Sequence, residues 1–295
     1  MKSNLSRYWK PLLAMVFWGT SFIATKVALE ELTPLMIIFF RLIFAISLLT
    51  VFAIYTKRDF SIKLKSHLWI VLLALIASFH LWIQVTGLQY TTAVNTGWII
   101  GTAPVFIAIL GSIFFKEQLT VQKISGIIIA FAGLLLLISK GELSELSFIT
   151  HKGDFLILAS AFTWSVYSMV NKKITINYSP VMTILFLFIM MAIIIGPFTV
   201  SNEYFLAISH LSLKAWSAVL FLGIFCSGIS YVLWAKSLSE MEATKTGAFL
   251  YFEPFVTVIA AWLMLDEKIT AMIILSGLII MLGVYLVNRR QINLN

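Results

Sequence analysis

The sequence predicts an all-α membrane protein: ten transmembrane helices in two inverted five-helix repeats, with both termini in the cytoplasm. Three observations predict this fold: the composition, the distribution of basic residues and an internal repeat. Of the 295 residues, 60% are hydrophobic and only 12% are charged. Soluble proteins are about half apolar and a quarter charged, so this chain lacks the residues for a water-facing surface.

The apolar runs are continuous and have the length of membrane-spanning helices, about 20 residues. Continuous runs indicate helices rather than the alternating strands of a barrel. Charged residues and prolines separate the runs, as Glu30, Glu31 and Pro34 do for the first two. The predicted spans are residues 10–29, 34–55, 67–88, 92–115, 121–139, 153–173, 180–200, 213–235, 245–265 and 269–288. The predicted first repeat is 1–140, the central periplasmic loop 141–152, and the second repeat 153–295.

The basic residues predict the orientation. With a cytoplasmic N-terminus, fifteen of the 21 Lys and Arg residues fall on the cytoplasmic side and four outside, while Lys26 and Arg41 lie within spans. Short cytoplasmic loops of membrane proteins are enriched in Lys and Arg. The net charge of +8 is therefore explained by topology, and we expect a multi-pass protein of the inner (cytoplasmic) membrane with no nucleic-acid partner.

The two halves of the chain resemble each other. Trp18 precedes Pro34 by 16 residues, and Trp164 precedes Pro180 by the same distance. At a constant offset of 150 the identities are Ala93 with Ala243, Thr96 with Thr246, Gly97 with Gly247, Pro104 with Pro254, Glu117 with Glu267, Thr120 with Thr270 and Gly133 with Gly283. A repeat of five spans enters the membrane in the opposite direction the second time. Such inverted repeats are typical of alternating-access transporters, with the substrate site between the copies.

The segment WGTSFIATKVALEELTPLMIIFFRLIFAI resembles the opening of the EamA-type transporters of the drug/metabolite transporter superfamily, through Trp18-Gly19, Lys26, Pro34 and Arg41. GTAPVFIAILGSIFFKEQLT and YFEPFVTVIAAWLMLDEKIT resemble the two copies of that family's Pro…Glu-x-hydrophobic-Thr/Ser signature. The resemblance covers essentially the whole chain. It implies two EamA repeats and movement of small metabolites, often outward. The second copy departs from the pattern, because it lacks a Gly after Trp164 and an Arg matching Arg41.

We therefore expect a secondary transporter that exports small metabolites by alternating access. The candidate substrates are amino acids or related compounds, or toxic aromatic or cationic solutes, and protons are the candidate coupling ion. A gradient-independent facilitator of the same solutes is the main alternative; a membrane-embedded enzyme or a receptor scaffold is less favoured. The sequence contains no H-E-x-x-H, G-x-S-x-G or P-loop signature, so we predict no catalytic residues, no metal and no cofactor. Membrane lipid is the other expected partner, and the two halves in one chain predict a functional monomer.

Two charged residues lie deep in predicted spans, where a charge is costly and usually faces protein or a water-filled cavity. Arg41 is about seven residues into the second span, and Glu253 about eight into the ninth. Arg41 is interpreted as a carboxylate-binding or gating cation, or as a structural partner of a neighbouring helix. Glu253 is a proton-coupling or cation-binding carboxylate, or it satisfies backbone groups freed by Pro254.

Other polar and aromatic side chains complete the predicted cavity. Polar groups in apolar runs need partners, so each either joins helices or lines a cavity. His80 is either a titrating group or a hydrogen-bonded structural residue. Aromatic side chains within spans either wall a pocket or simply pack. The remaining predicted cavity residues are Trp18, Ser21, His80, Gln84, Asn95, Trp98, Trp164, Tyr167, Tyr231, Trp234 and Tyr251.

Overall fold

The structure, a computed structural model, describes residues 5–116, 118–140, 151–174, 176–199, 208–240 and 248–288. The regular elements of these residues are all helices. They are α1 (Leu5–Ala28), α2 (Pro34–Tyr55), α3 (Leu64–Leu88), α4 (Ala93–Ile100), α5 (Ala103–Phe115), α6 (Val121–Ile138), α7 (Lys152–Lys173), α8 (Pro180–Thr199), α9 (Leu213–Phe221), α10 (Ser230–Glu240), α11 (Glu253–Leu265) and α12 (Ala271–Asn288). The central loop residues 141–150 lie outside the described residues, as do Glu117, Ala243, Thr246 and Gly247 of the internal repeat. So do four of the basic residues counted for the orientation: Lys2, Lys245, Arg289 and Arg290.

Eight helical segments are long and apolar enough to cross a membrane, and residues Phe249–Leu265 and Ala271–Val287 form two shorter apolar helices. The outer surface of the bundle is apolar as well: Ile128, Trp262 and Leu278 are among many large hydrophobic side chains exposed on it. A surface of this kind is stable against lipid tails but not against water. The chain is therefore a multi-pass integral membrane protein.

The helix starts follow local chemistry. Thr33, Thr92 and Thr120 each precede a helix and accept a hydrogen bond from a backbone N–H of its first turn. A hydroxyl in this position satisfies one of the N–H groups that have no partner inside the helix. Pro34 follows Thr33 at the first position of α2, where the missing N–H of proline costs nothing.

Three of the apolar stretches are interrupted in mid-span. Residues 92–115 form two helices, α4 and α5, which meet at Gly101 and Thr102 just before Pro104. A 3₁₀ turn, Ala248–Phe252, precedes α11 with its Pro254, and a π-helical turn, Leu222–Ile229, separates α9 from α10. Proline donates no hydrogen bond to the preceding turn, which accounts for the first two breaks. Irregular backbone at membrane depth is tolerated where it is buried in protein or lines a cavity.

Helices α6 and α12 pack backbone against backbone, and their contact is symmetric. A Cβ added at Gly126 would lie 2.7 Å from the carbonyl oxygen of Gly283, and one added at Gly133 would lie 3.0 Å from that of Ser276. The 150-residue offset converts the first pair into the second. The internal repeat of the sequence is therefore visible as a local two-fold axis between the last helices of the two halves.

The buried core has two parts that share α1. One lies among α2, α3 and α8, with Leu42, Leu73 and Leu185 fully buried. The other lies among α4, α6 and α12, and Ile99 and Ile280 are buried there. Because α1 packs against both parts, its side chains are held in place on more than one face.

Candidate functional site

A cavity of about 90 Å³ lies between the two halves of the bundle. Its walls come from α1, α2, α3 and α7, from the α4–α5 break, from α10 and from the start of α11. Of the thirteen residues that the sequence predicts for a cavity, eight line this one: Trp18, Ser21, Arg41, His80, Gln84, Trp164, Tyr231 and Glu253. Residues far apart in sequence, and drawn from both repeats, therefore meet at one place.

Arg41 is buried in α2 and held by the π-helical turn. Its Nε donates a hydrogen bond to Oγ of Ser227 at 2.5 Å, and only 9% of the residue is exposed. The turn reaches α2 because Gly223 has no side chain: a Cβ added there would lie 3.0 Å from the carbonyl oxygen of Arg41. A π-helical turn at a functional site is a recurring feature of proteins. Here it fixes the orientation of a guanidinium group beside the cavity.

Glu253 is the first residue of α11, where the helix dipole favours a negative charge. The hydroxyl of Thr257 donates to the backbone carbonyl of Glu253, not to its carboxylate. Among the described residues, no hydrogen bond joins that carboxylate to a backbone group.

Arg41 and Glu253 face the same cavity without a charged protein partner in the described parts of the chain. Ion pairs such as Lys10 with Glu240 and Lys214 with Glu30 lie away from the cavity. A charge inside a membrane protein that has no partner is costly. A ligand that carries both charges would supply the missing partners of both groups.

Aromatic side chains form the walls of the cavity and hold one another in place. The indole Nε1 of Trp18 donates to the carbonyl oxygen of Cys226 at 2.9 Å. The ring of Trp18 lies 5.5 Å from the rings of both Tyr231 and Trp234. Trp234 therefore supports the wall from behind rather than lining the cavity.

On the opposite side, the ring of Tyr167 stacks on that of Trp164 at 5.2 Å, and the ring of His80 lies 5.4 Å from Trp164. His80 is buried, and its Nδ1 lies 3.0 Å from the carbonyl oxygen of Ser160 on α7. This hydrogen bond joins α3 to α7, which is the contact expected of a hydrogen-bonded structural residue. Tyr167, like Trp234, supports an aromatic wall from outside.

The polar groups Ser21 and Gln84 complete the lining. The Ser21 hydroxyl donates to the carbonyl oxygen of Trp18 at 2.6 Å within α1. The Gln84 amide forms no hydrogen bond with another described residue, so it is available to a ligand. The cavity therefore offers a cation, an anion and an amide between aromatic walls.

Three predicted residues lie elsewhere. Asn95 donates to both carboxylate oxygens of Asp154 at 3.3 Å, joining α4 to α7. Trp98 packs flat against α12, so closely that its ring fills the space of a side chain at Gly277. Tyr251 lines a smaller chamber that adjoins the cavity.

Ser227, the hydrogen-bond partner of Arg41, is the residue of this site that sequence reasoning missed. A serine among apolar residues resembles any hydroxyl that bonds its own helix, and nothing in its spacing indicates Arg41, which is 186 residues away. Ala103 and Leu250 also line the cavity, and their apolar side chains do not indicate a binding site in the sequence. Their nearest signals are Pro104 and Pro254, which mark the breaks where the chain turns toward the cavity.

Comparison with known proteins gives a consistent picture. The model of the EamA-like transporter family matches residues 8–139 and again 151–289. An uncharacterized transporter of Archaeoglobus fulgidus is 31% identical, covering 95% of this chain and 96% of its own length. A probable amino-acid metabolite efflux pump of Escherichia coli is 26% identical over 93% of this chain and 92% of its own. A crystal structure with 16% sequence identity shares the fold with a TM-score of 0.62, over 97% of this chain and 98% of its own.

Proposed function

Because the chain belongs to the EamA-like transporter family, we propose that it exports small charged metabolites across the cytoplasmic membrane by alternating access. The relatives named above are transporters, and none of those names describes an enzyme. The name of the Escherichia coli relative supports amino acids or related compounds as substrates. In this proposal the chain spans the membrane ten times with both termini in the cytoplasm, and residues 1–140 and 153–295 form the two repeats.

The observation that carries the proposal is the meeting of Arg41 and Glu253 at one cavity. A zwitterion such as an amino acid places its carboxylate near Arg41 and its ammonium group near Glu253. Each of the two charges then gains a partner, and Gln84 offers a further hydrogen bond. The binding energy comes from pairing opposite charges inside the protein, so the site favours charged solutes over neutral ones of the same size.

Glu253 also provides a route to proton coupling. Its carboxylate is neutralised either by the ammonium group of a substrate or by a proton, but not by both at once. If the bare carboxylate impedes the conformational change, the empty transporter returns only with a proton on Glu253. A substrate leaving the cell is then exchanged for a proton entering it, and the two ligands act on the same equilibrium between end states.

The experiment is uptake by inside-out membrane vesicles of pooled labelled amino acids and an aromatic cation, with and without an imposed proton gradient. We expect uptake that rises with the gradient and that loses this dependence in Glu253→Gln. Asp266→Asn is the matched control, because Asp266 is an exposed carboxylate outside the cavity. Uptake that ignores the gradient and is unchanged in Glu253→Gln would instead identify a facilitator. Absence of uptake for the whole panel would contradict the transporter function.

A further inference from the structure

A second, smaller chamber opens from the cavity. Its volume is about 50 Å³, and it shares five lining residues with the main cavity: Ile100, Ala103, Trp164, Leu250 and Glu253. Beyond these shared residues its walls are formed by Gly101, Pro104, Ile107, Tyr251, Pro254 and Met281. A ligand bound in the main cavity therefore has access to a side compartment that begins next to the Glu253 carboxylate.

The walls of this chamber are apolar. Glu253 at its mouth is the one charged residue of its lining within the described chain. Tyr251 is the one other lining residue with a strongly polar side-chain group, and its hydroxyl donates to the carbonyl oxygen of Val284 at 3.4 Å. Because that hydroxyl already bonds to α12, the chamber presents mainly hydrocarbon. An apolar group gains from leaving water there, whereas a polar group would lose hydrogen bonds.

The two helix breaks give the chamber its shape. Pro104 and Pro254 occupy equivalent positions in the two repeats, and both line it. A Cβ added at Gly101 would lie 3.1 Å from Cγ of Pro254, so the two breaks pack closely against each other. Proline rings and adjacent backbone have little freedom to move. Ile107 and Met281 are long apolar side chains in the wall of the chamber, and neither lines the main cavity.

The volume limits what fits. At about 50 Å³ the chamber has roughly half the volume of the main cavity, so it takes one small group of a ligand rather than a whole molecule. A branched aliphatic group of about three or four carbons matches this space. A methyl group buries less apolar surface there, and a benzyl group needs more room than the branched group does.

We propose that this chamber is a side-chain subsite, and that the substrate is a zwitterion with a short branched aliphatic side chain, such as valine or leucine. The inference rests on the proposed transport function and narrows it to one substrate class. The carboxylate and ammonium groups lie between Arg41 and Glu253, and the side chain enters the chamber beside Glu253. Met281 and Ile107 then determine specificity.

The test uses purified protein in liposomes, uptake of labelled leucine and of the labelled aromatic cation, and unlabelled alanine, valine, leucine and phenylalanine as competitors. These amino acids share one zwitterionic head and differ in the side chain. We expect valine and leucine to compete for leucine uptake at least about tenfold better than alanine, because burying each methylene group stabilises the complex. Phenylalanine is expected to compete poorly in the wild-type protein.

Two substitutions change the chamber in opposite directions. Met281→Ala enlarges the chamber, and we expect it to improve the competition by phenylalanine, relative to that by leucine, about tenfold. Ile107→Phe fills the chamber, and we expect it to weaken the competition by leucine relative to that by alanine. Met272→Ala is the matched control, since it makes the same substitution on α12 outside the chamber. Ratios between competitors are measured within one protein, so a variant that folds less well still gives an interpretable ratio.

The outcomes separate this inference from the function on which it rests. Transport of the aromatic cation without leucine would overturn the substrate class but keep the transporter. If leucine is taken up but the order of the competitors is the same in Met281→Ala and Ile107→Phe as in the wild type, the proposed subsite is overturned. No uptake of any labelled solute would contradict both. A shift toward phenylalanine in Met281→Ala, absent in Met272→Ala, would establish the chamber as the side-chain subsite.

Discussion

Arg41 and Glu253 are not repeated in the other half of the chain. At the 150-residue offset Glu253 corresponds to Ala103, which also lines the cavity, and no arginine of the second repeat matches Arg41. The two halves therefore supply similar backbones but different charges. An asymmetric ligand with one positive and one negative end has a single favourable orientation in such a site.

The hydrogen bond from Arg41 to Ser227 gives a prediction at this scale. Ser227→Ala removes the acceptor for Nε of Arg41, so the guanidinium is no longer held in one orientation. A hydrogen bond of this kind contributes about 0.5–1.5 kcal/mol, so we expect the KM for uptake to rise about two- to tenfold. Ser217→Ala is the control, because the exposed Ser217 bonds only to its own helix. An unchanged KM in Ser227→Ala would show that the orientation of Arg41 does not matter.

At the scale of helices, the start of α4 is held by acidic residues of the second repeat. The Glu267 carboxylate accepts hydrogen bonds from the backbone N–H groups of Ala93 and Val94 at 2.8 and 2.9 Å. The Asp154 carboxylate accepts from Asn95 and from the Thr91 hydroxyl. Carboxylates at a helix N-terminus satisfy free N–H groups and complement its dipole. These contacts join the two repeats at one end of the bundle, and the proposed alternating access requires them to break.

The contact between α6 and α12, in contrast, is expected to stay intact during transport. A Cβ at Gly283 would overlap the backbone of Ala130, so Gly283→Ala must push the two helices apart. We expect a loss of roughly 1–3 kcal/mol, seen as a lower midpoint of thermal unfolding in detergent. Gly196→Ala is the matched control, because the nearest atom there is the end of the Phe39 ring at 3.4 Å. Equal midpoints for the two variants would mean that this interface contributes little to stability.

For the whole molecule, the proposed orientation places the Arg58 loop in the cytoplasm and the Lys268 loop outside. Both residues are exposed, and the native Cys226 is buried. A membrane-impermeant maleimide applied to intact cells is therefore expected to label Lys268→Cys at once and Arg58→Cys only after permeabilisation. Labelling in the reverse order would mean that the true topology is the opposite of the proposed one. Most Lys and Arg residues of the loops would then lie outside the cell, against the usual distribution.

The sequence predicts local features of this fold better than contacts across it. Apolar runs and flanking charges are local, so most helix bounds can be inferred from the chain, but the predicted spans 92–115 and 245–265 do not include the breaks near Pro104 and Pro254. The position of Arg41 deep in a span can also be predicted from the neighbouring residues, but its hydrogen-bond partner Ser227 cannot. Asn95 is recognisable as a polar group needing a partner, yet only the packing of α4 on α7 identifies Asp154. The side chamber depends on Met281 of α12 approaching the α4–α5 break, which no pattern in the sequence indicates.

The central claim is that charged solutes cross the membrane through the cavity that contains Arg41 and Glu253. The most direct test is solute uptake by liposomes containing purified wild-type protein or the double variant Arg41→Gln/Glu253→Gln, with thermal unfolding as a check on folding. We predict uptake by the wild type and background levels in a double variant that still folds. Equal uptake by the two folded proteins would contradict the claim, because the charges would then have no role in recognising the solute.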